Sequence, residues 1–160
     1  MNTLFKKKIN LLFLAVFMTL TISGNEFRTN LPLEIHQLRT EYLENPEGID
    51  VLKPRFSWVL EGDGFNRYQT AYQIQVGTSK NSLNNETAWD SGKISSNETN
   101  QIIYDGKDLV SGKKYFWRVT VWDENNISST SEIASWSMGN LEFLDWQAEY
   151  ISHYVGYNQK

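Results

Sequence analysis

From residue 35 onward, apolar positions recur every second residue in short runs, and turn-forming residues separate the runs. No stripe with helical spacing lasts three turns, so the pattern predicts an all-β chain. In 35–43, Leu38, Thr40 and Tyr42 alternate with Arg39 and Glu41, predicting a first strand that stops at Asn45-Pro46-Glu47-Gly48. In 55–60, Phe56, Trp58 and Leu60 share one face between Pro54 and Gly62-Asp63-Gly64. The clearest alternation is in 70–78, with Tyr72, Ile74 and Val76 on one side and Gln73, Gln75 and Gly77 on the other. A polar loop over 79–87, a short segment Trp89-Asp90-Ser91-Gly92 and a short strand over 101–104 follow. The longest strand is predicted over 113–122, with Tyr115, Trp117, Val119 and Val121 facing the core and Phe116, Arg118, Thr120 and Trp122 on the opposite side. After a turn at 123–126 the last strand covers 133–138.

Seven short strands joined by turns are the expectation for an immunoglobulin-like sandwich. Leu109-Val110-Ser111-Gly112-Lys113-Lys114-Tyr115 sharpens it. This string resembles the corner before the sixth strand of fibronectin type III domains, where a Leu plugs the core beneath a Gly-containing turn and a Tyr hydroxyl bonds back to main chain. A crossover between sheets leaves main-chain groups half buried. A Tyr supplies both the ring that fills the corner and the hydroxyl that satisfies one of those groups. An ordinary hairpin with a chance Tyr is the plainer alternative, but spacing, strand number and the lack of Cys agree on the corner. Trp58 is the expected core aromatic between the sheets.

Residues 1–24 follow other rules. Lys6, Lys7 and Lys8 precede an almost wholly apolar run over 9–22, then Ser23-Gly24 and the polar Asn25-Glu26. That order reads as a secretory signal, and the run is shorter than the roughly 20 residues a membrane-spanning helix needs. Residues 25–34 read as a linker, 35–140 as the sandwich and 141–160 as a junction. The segment 1–24 carries three Lys and no acid, so its removal takes the formal charge from −4 to −7. An acidic chain does not suit nucleic acid or anionic lipid, which attract basic surfaces. Without Cys there are no disulfides, no thiolate zinc site and no lipid-modified N-terminal Cys, so the expectation is an exported, periplasmic or extracellular domain held by packing alone.

Candidate chemistry is sparse. His36 and His153 lie at opposite ends of the domain, which suits exposed or edge histidines better than a metal or acid/base pair. Glu41 with Glu44, Asp105 with Asp108 and Asp123 with Glu124 are the close carboxylate pairs. Glycoside hydrolysis needs two carboxylates flanking a sugar, but all of these lie at strand ends or turns, where solvated acids are commonplace. Asn85-Glu86-Thr87, Asn97-Glu98-Thr99 and Asn126-Ile127-Ser128 are read as chance matches to the glycosylation pattern. No catalytic residue, cofactor or metal is predicted. The one candidate contact face holds Phe116, Arg118 and Trp122 with Gln73 and Gln75 on the neighbouring strand. Such a face suits either stacking on a sugar or docking of another domain, and docking is preferred.

A narrower resemblance covers residues 33–151. It is carried by Leu38-Arg39-Thr40-Glu41-Tyr42-Leu43-Glu44-Asn45-Pro46-Glu47-Gly48-Ile49-Asp50, Lys53-Pro54-Arg55-Phe56-Ser57-Trp58 and Thr70-Ala71-Tyr72-Gln73-Ile74-Gln75-Val76. Trp89-Asp90-Ser91-Gly92-Lys93, Tyr115-Phe116-Trp117-Arg118-Val119 and Asp145-Trp146-Gln147-Ala148-Glu149-Tyr150-Ile151 add to it. Together these resemble the N-terminal domain of secreted bacterial α-L-rhamnosidases. The resemblance implies an accessory sandwich at the front of a larger enzyme that removes α-linked rhamnose from plant glycans, with the general acid and base far downstream in an α/α-barrel. It implies neighbouring enzyme domains as partners, with rhamnose-containing polysaccharide as a further candidate. A piece of a longer enzyme is preferred to a stand-alone module. A carbohydrate-binding sandwich is the second reading and a cell-surface interaction module the third, since the fold itself carries many functions.

Overall fold

The computed structural model describes residues 31–141. Two antiparallel sheets face each other. The first, in the order β1-β2-β5, contains β1 (Glu34–Thr40), β2 (Arg55–Glu61) and β5 (Ile102–Ile103). The second, in the order β4-β3-β6-β7, contains β3 (Gln69–Gly77), β4 (Trp89–Asp90), β6 (Lys114–Asp123) and β7 (Ser128–Thr130), with β8 (Ala134–Ser137) also on β6. The signal and most of the linker and junction expected from the sequence lie outside the described residues.

Period-two alternation makes β3 and β6 the spine of the second sheet, with one register shift between Gln69 and Ala71. They pair from Gln69↔Asp123 to Gly77↔Phe116, and every core-facing residue of β6 from Tyr115 to Val121 is buried. Phe56, Trp58 and Ile102 come from the opposing sheet to meet them. Phe56 sits at the centre, its ring centroid 4.5 Å from Trp117 and 5.4 Å from Trp136, and Tyr115 stacks on Trp136 at 5.2 Å. Rings of this size bury enough area to hold a sandwich without cross-links.

Four local features depart from the sequence reading. The first strand ends at Thr40, because Glu41 and Tyr42 both adopt left-handed backbone (φ 49° and 68°), which leaves Tyr42 exposed. Within β1 the register with β2 shifts between His36 and Arg39, where Gln37 has φ 48°. The loop over 79–87 contains a one-turn helix, α1 (Ser82–Asn85), whose Leu83 is fully buried. The expected last strand over 133–138 is β8, and a further strand, β7, precedes it on the same edge. β7 pairs with Thr120–Trp122, β8 with Lys114–Trp117, and between them Ser131 donates its N–H to the Val119 carbonyl and accepts the Val119 N–H through its hydroxyl. Just before residue 35, Leu33 packs into the core and Glu34 opens β1.

Two irregular crossovers close the sandwich. After β1, the chain moves to the free edge of β8, where Ile49 pairs parallel to Met138. After β4, Ile94 exchanges both main-chain hydrogen bonds with Tyr72 in one sheet, and Thr99 then accepts the Trp58 N–H in the other. The crossovers satisfy edge groups that would otherwise be open to another chain.

Candidate functional site

The structure brings the five predicted contact residues onto one face. Antiparallel register sets Arg118 opposite Gln75, Thr120 opposite Gln73, Trp122 opposite Ala71 and Phe116 opposite Gly77. Directly opposed residues share a side of the sheet, so these form one surface. Its middle is a closed polar network. Asp90 accepts Gln73 Nε2 at 2.7 Å and Gln75 Nε2 at 3.0 Å, and Arg118 donates to Gln75 Oε1 at 3.0 Å, Asn84 Oδ1 at 3.0 Å and the Leu83 carbonyl at 3.2 Å. Burial pushes the Asp90 carboxyl up. The hydrogen bonds from Gln73, the Gly92 N–H and Gln75, with the Arg118 charge, outweigh this and hold it below its ordinary value.

The aromatics flanking this network are half buried, not exposed as the sequence suggested. They are six residues apart on one strand, about 20 Å, so they cannot grip one sugar ring together. The Lys93 ammonium lies 4.2 Å from the centroid of the Trp122 ring, held there by Asn126 Oδ1 at 2.9 Å. That ring face therefore already has a cation on it.

The corner residues take the positions their types demand. Tyr115 is buried, and its hydroxyl accepts the Val110 N–H at 3.0 Å. Leu109 is a core residue, and Gly112 has φ +67° with open space around it, so backbone conformation alone calls for glycine there. Trp58 is buried beside Tyr72, and its indole N–H donates to Gln69 Oε1 at 3.1 Å. Gln69 in turn donates to the carbonyls of Ser96 (3.0 Å) and Glu98 (2.9 Å). This buried amide went unnoticed in the sequence, where it reads as one more polar residue before a strand.

The carboxylate pairs do not form a hydrolytic site. Glu41 is tied to Arg55, and Asp105 to Lys53 at 3.2 Å. Asp123 is buried rather than solvated. It accepts Arg67 at 2.9 Å and the N–H groups of Asn125 (2.9 Å) and Ile127 (2.8 Å), while Glu124 lies 2.7 Å from Arg67 Nε. Arg67 also donates to the Leu31 carbonyl at 2.7 Å, fastening the lead-in to the turn after β6. His36 is an edge residue 3.2 Å from Glu34 Oε2, and His153 lies outside the described residues. Among the described residues no three His, Cys, Asp or Glu side chains group as metal ligands, and no helix is long and apolar enough to cross a membrane.

The polar groups of the predicted face are paired with one another, and the comparison with known proteins identifies the sandwich that carries them. The model of the Rha78A-like, N-terminal immunoglobulin domain matches residues 35–142. The chain belongs to this family. An α-L-rhamnosidase of Alteromonas sp. (strain LOR) is 46% identical over 110 residues, covering 67% of this chain and 12% of that protein. One from Formosa agariphila is 34% identical over 151 residues, covering 92% and 16%. The crystal structure of Streptomyces avermitilis α-L-rhamnosidase complexed with L-rhamnose superposes with a TM-score of 0.72 at 34% identity, covering 75% of this chain and 12% of that one. The chain thus spans 12% to 16% of the curated relatives' length and matches their N-terminal immunoglobulin domain, not a catalytic region.

Proposed function

We propose that this Rha78A-like domain is a non-catalytic accessory module of an exported α-L-rhamnosidase acting on plant glycans, and that it steadies the enzyme's neighbouring domains. The observation that carries the reading is the extent of the match, confined to the N-terminal immunoglobulin domain of each relative. The closed Asp90–Gln73–Gln75–Arg118 network supports it, because groups already paired within the domain gain little by turning to sugar hydroxyls.

The test compares a parent α-L-rhamnosidase with the same enzyme carrying Trp122→Ala. A lower melting temperature with unchanged turnover of a small aryl rhamnoside is expected. Unchanged stability together with lost turnover would overturn the accessory reading. The sugar-binding alternative is decided by titrating the 160-residue chain with rhamnose-bearing oligosaccharides while following Trp fluorescence: a flat response removes it, and a saturable one replaces docking with binding.

A further inference from the structure

Among the described residues, Asp63, Asp90 and Asp105 each precede a Gly or Ser. Such small neighbours least hinder attack of the following main-chain nitrogen on the aspartate carboxyl, and the fold treats the three sites differently.

Asp90 is closed to that attack. Its carboxylate accepts from Gln73, Gln75 and the Gly92 N–H, and the Ser91 nitrogen, which would have to attack, donates to the Ile74 carbonyl at 3.0 Å. Asp105 is held by Lys53 at 3.2 Å, and Gly106 lies so close to the Tyr104 hydroxyl and Trp89 Cβ that a Cβ there would overlap both. The main chain cannot rotate at that point without displacing packed rings.

Asp63 is open. The loop between β2 and β3 is fixed at its base, where Gly62 packs against Leu33 and Arg67, but its tip carries Gly64 at φ +95° in open space and a fully exposed Phe65. Among the described residues no hydrogen bond engages the Asp63 carboxylate or the Gly64 N–H, so neither reactive group has a partner to give up. Glycine at an exposed loop tip is also where the chain turns most freely.

We propose that Asp63-Gly64 is a site of spontaneous isoaspartate formation. The Gly64 nitrogen bonds to Asp63 Cγ and a Cγ–O bond breaks. That oxygen leaves as water with the carboxyl proton and the N–H proton, closing a five-membered succinimide. Water then adds back to the ring. Opening at Cγ restores aspartate, and opening at the Asp63 main-chain carbon gives isoaspartate, whose main chain runs through Cγ with no net change in mass or oxidation state. The second product frees a carboxylate where the Asp63 carbonyl accepts Arg67 Nη1 at 3.5 Å, beside the guanidinium that also holds Asp123 and the Leu31 carbonyl.

The test keeps the 160-residue chain in warm neutral buffer made with heavy-oxygen water, then maps its peptides by mass spectrometry with fragmentation that separates aspartate from isoaspartate. Labelled isoaspartate is expected at Asp63 and at neither Asp90 nor Asp105. In urea, where the packing is gone, Asp105 is expected to convert as readily as Asp63. Asp63→Glu, which would need a six-membered ring, is expected to lose the product at that loop. Conversion of Asp105 as fast as Asp63 in the folded chain would overturn the inference. So would an Asp63 that stays aspartate in the folded chain, whether or not it converts in urea.

Discussion

Glu41 and Arg55 form a three-point pair: Arg55 donates Nη2 to Glu41 Oε2 at 2.6 Å and Nε to Oε1 at 3.1 Å, and its own main-chain N–H reaches Oε1 at 2.7 Å. One carboxylate thus fixes both the side chain and the backbone at the start of β2, and it does so from a turn with left-handed φ. Tyr42 adds its ring 5.0 Å from the Arg55 guanidinium and its hydroxyl against the Gln101 amide. Glu41, Tyr42 and Arg55 belong to two of the strings that carried the family resemblance, so part of that signature is a structural clamp.

The side-chain hydrogen bond from Arg55 holds the Glu41 carboxyl below its ordinary value of 4.5 against the opposing effect of burial. A group whose folded pKa is depressed stabilises above its unfolded value, and the contribution is lost as pH falls through the folded one. Glu41→Gln is therefore expected to lower the melting temperature at pH 7 and to flatten its decline below about pH 4.5. Melting curves from pH 7 to pH 3 that show the same acid slope in both proteins would refute this.

Gln69 completes the hydrogen bonding of Trp58 and of two crossover carbonyls from a fully enclosed position. Gln69→Leu keeps the volume and strands those groups, at an expected cost of about 2–4 kcal/mol. Urea unfolding is the measurement, and a change below about 0.5 kcal/mol would mean that water replaces the amide.

Tyr115→Phe removes only the acceptor of the Val110 N–H and is expected to cost about 1 kcal/mol. Gly112→Ala meets no atoms but must keep φ near +67°, which also costs about 1 kcal/mol. Their sites are close along the chain, so a double variant in a thermodynamic cycle reveals whether turn and hydroxyl act as one unit.

Tyr104 is pushed up to about 12 by burial, with Tyr115 and Asp108 adding to the shift, and its hydroxyl donates to the Lys107 carbonyl at 2.8 Å. Ultraviolet titration of wild type against Tyr104→Phe should give a difference spectrum that stays flat through pH 10, where an exposed tyrosine titrates. A difference already present at pH 10 would contradict the enclosure of this ring.

The all-β class, the long β3–β6 pair, the core side of each and the Leu109–Tyr115 corner were all legible in the sequence. They are written in alternation along single strands and in one short string, signals that need no knowledge of what lies across the fold. The companions of the face residues were not legible, because Asp90 in β4, Lys93 just after it and Asn84 in α1 meet Gln73, Gln75, Trp122 and Arg118 only through the tertiary fold. The same holds for Gln69, Asp123 and Leu83. Their sequence neighbourhoods are those of surface residues, and only the closure of two sheets over them made burial and full pairing possible. Tertiary structure likewise ended the first strand at Thr40, where the chain turns through left-handed Glu41 and Tyr42 and the Glu41 carboxylate takes the Arg55 main-chain N–H and guanidinium. Local pattern specified the strands. The position of each strand beside its neighbours decided which side chains are paired, which are buried and which remain free for a partner.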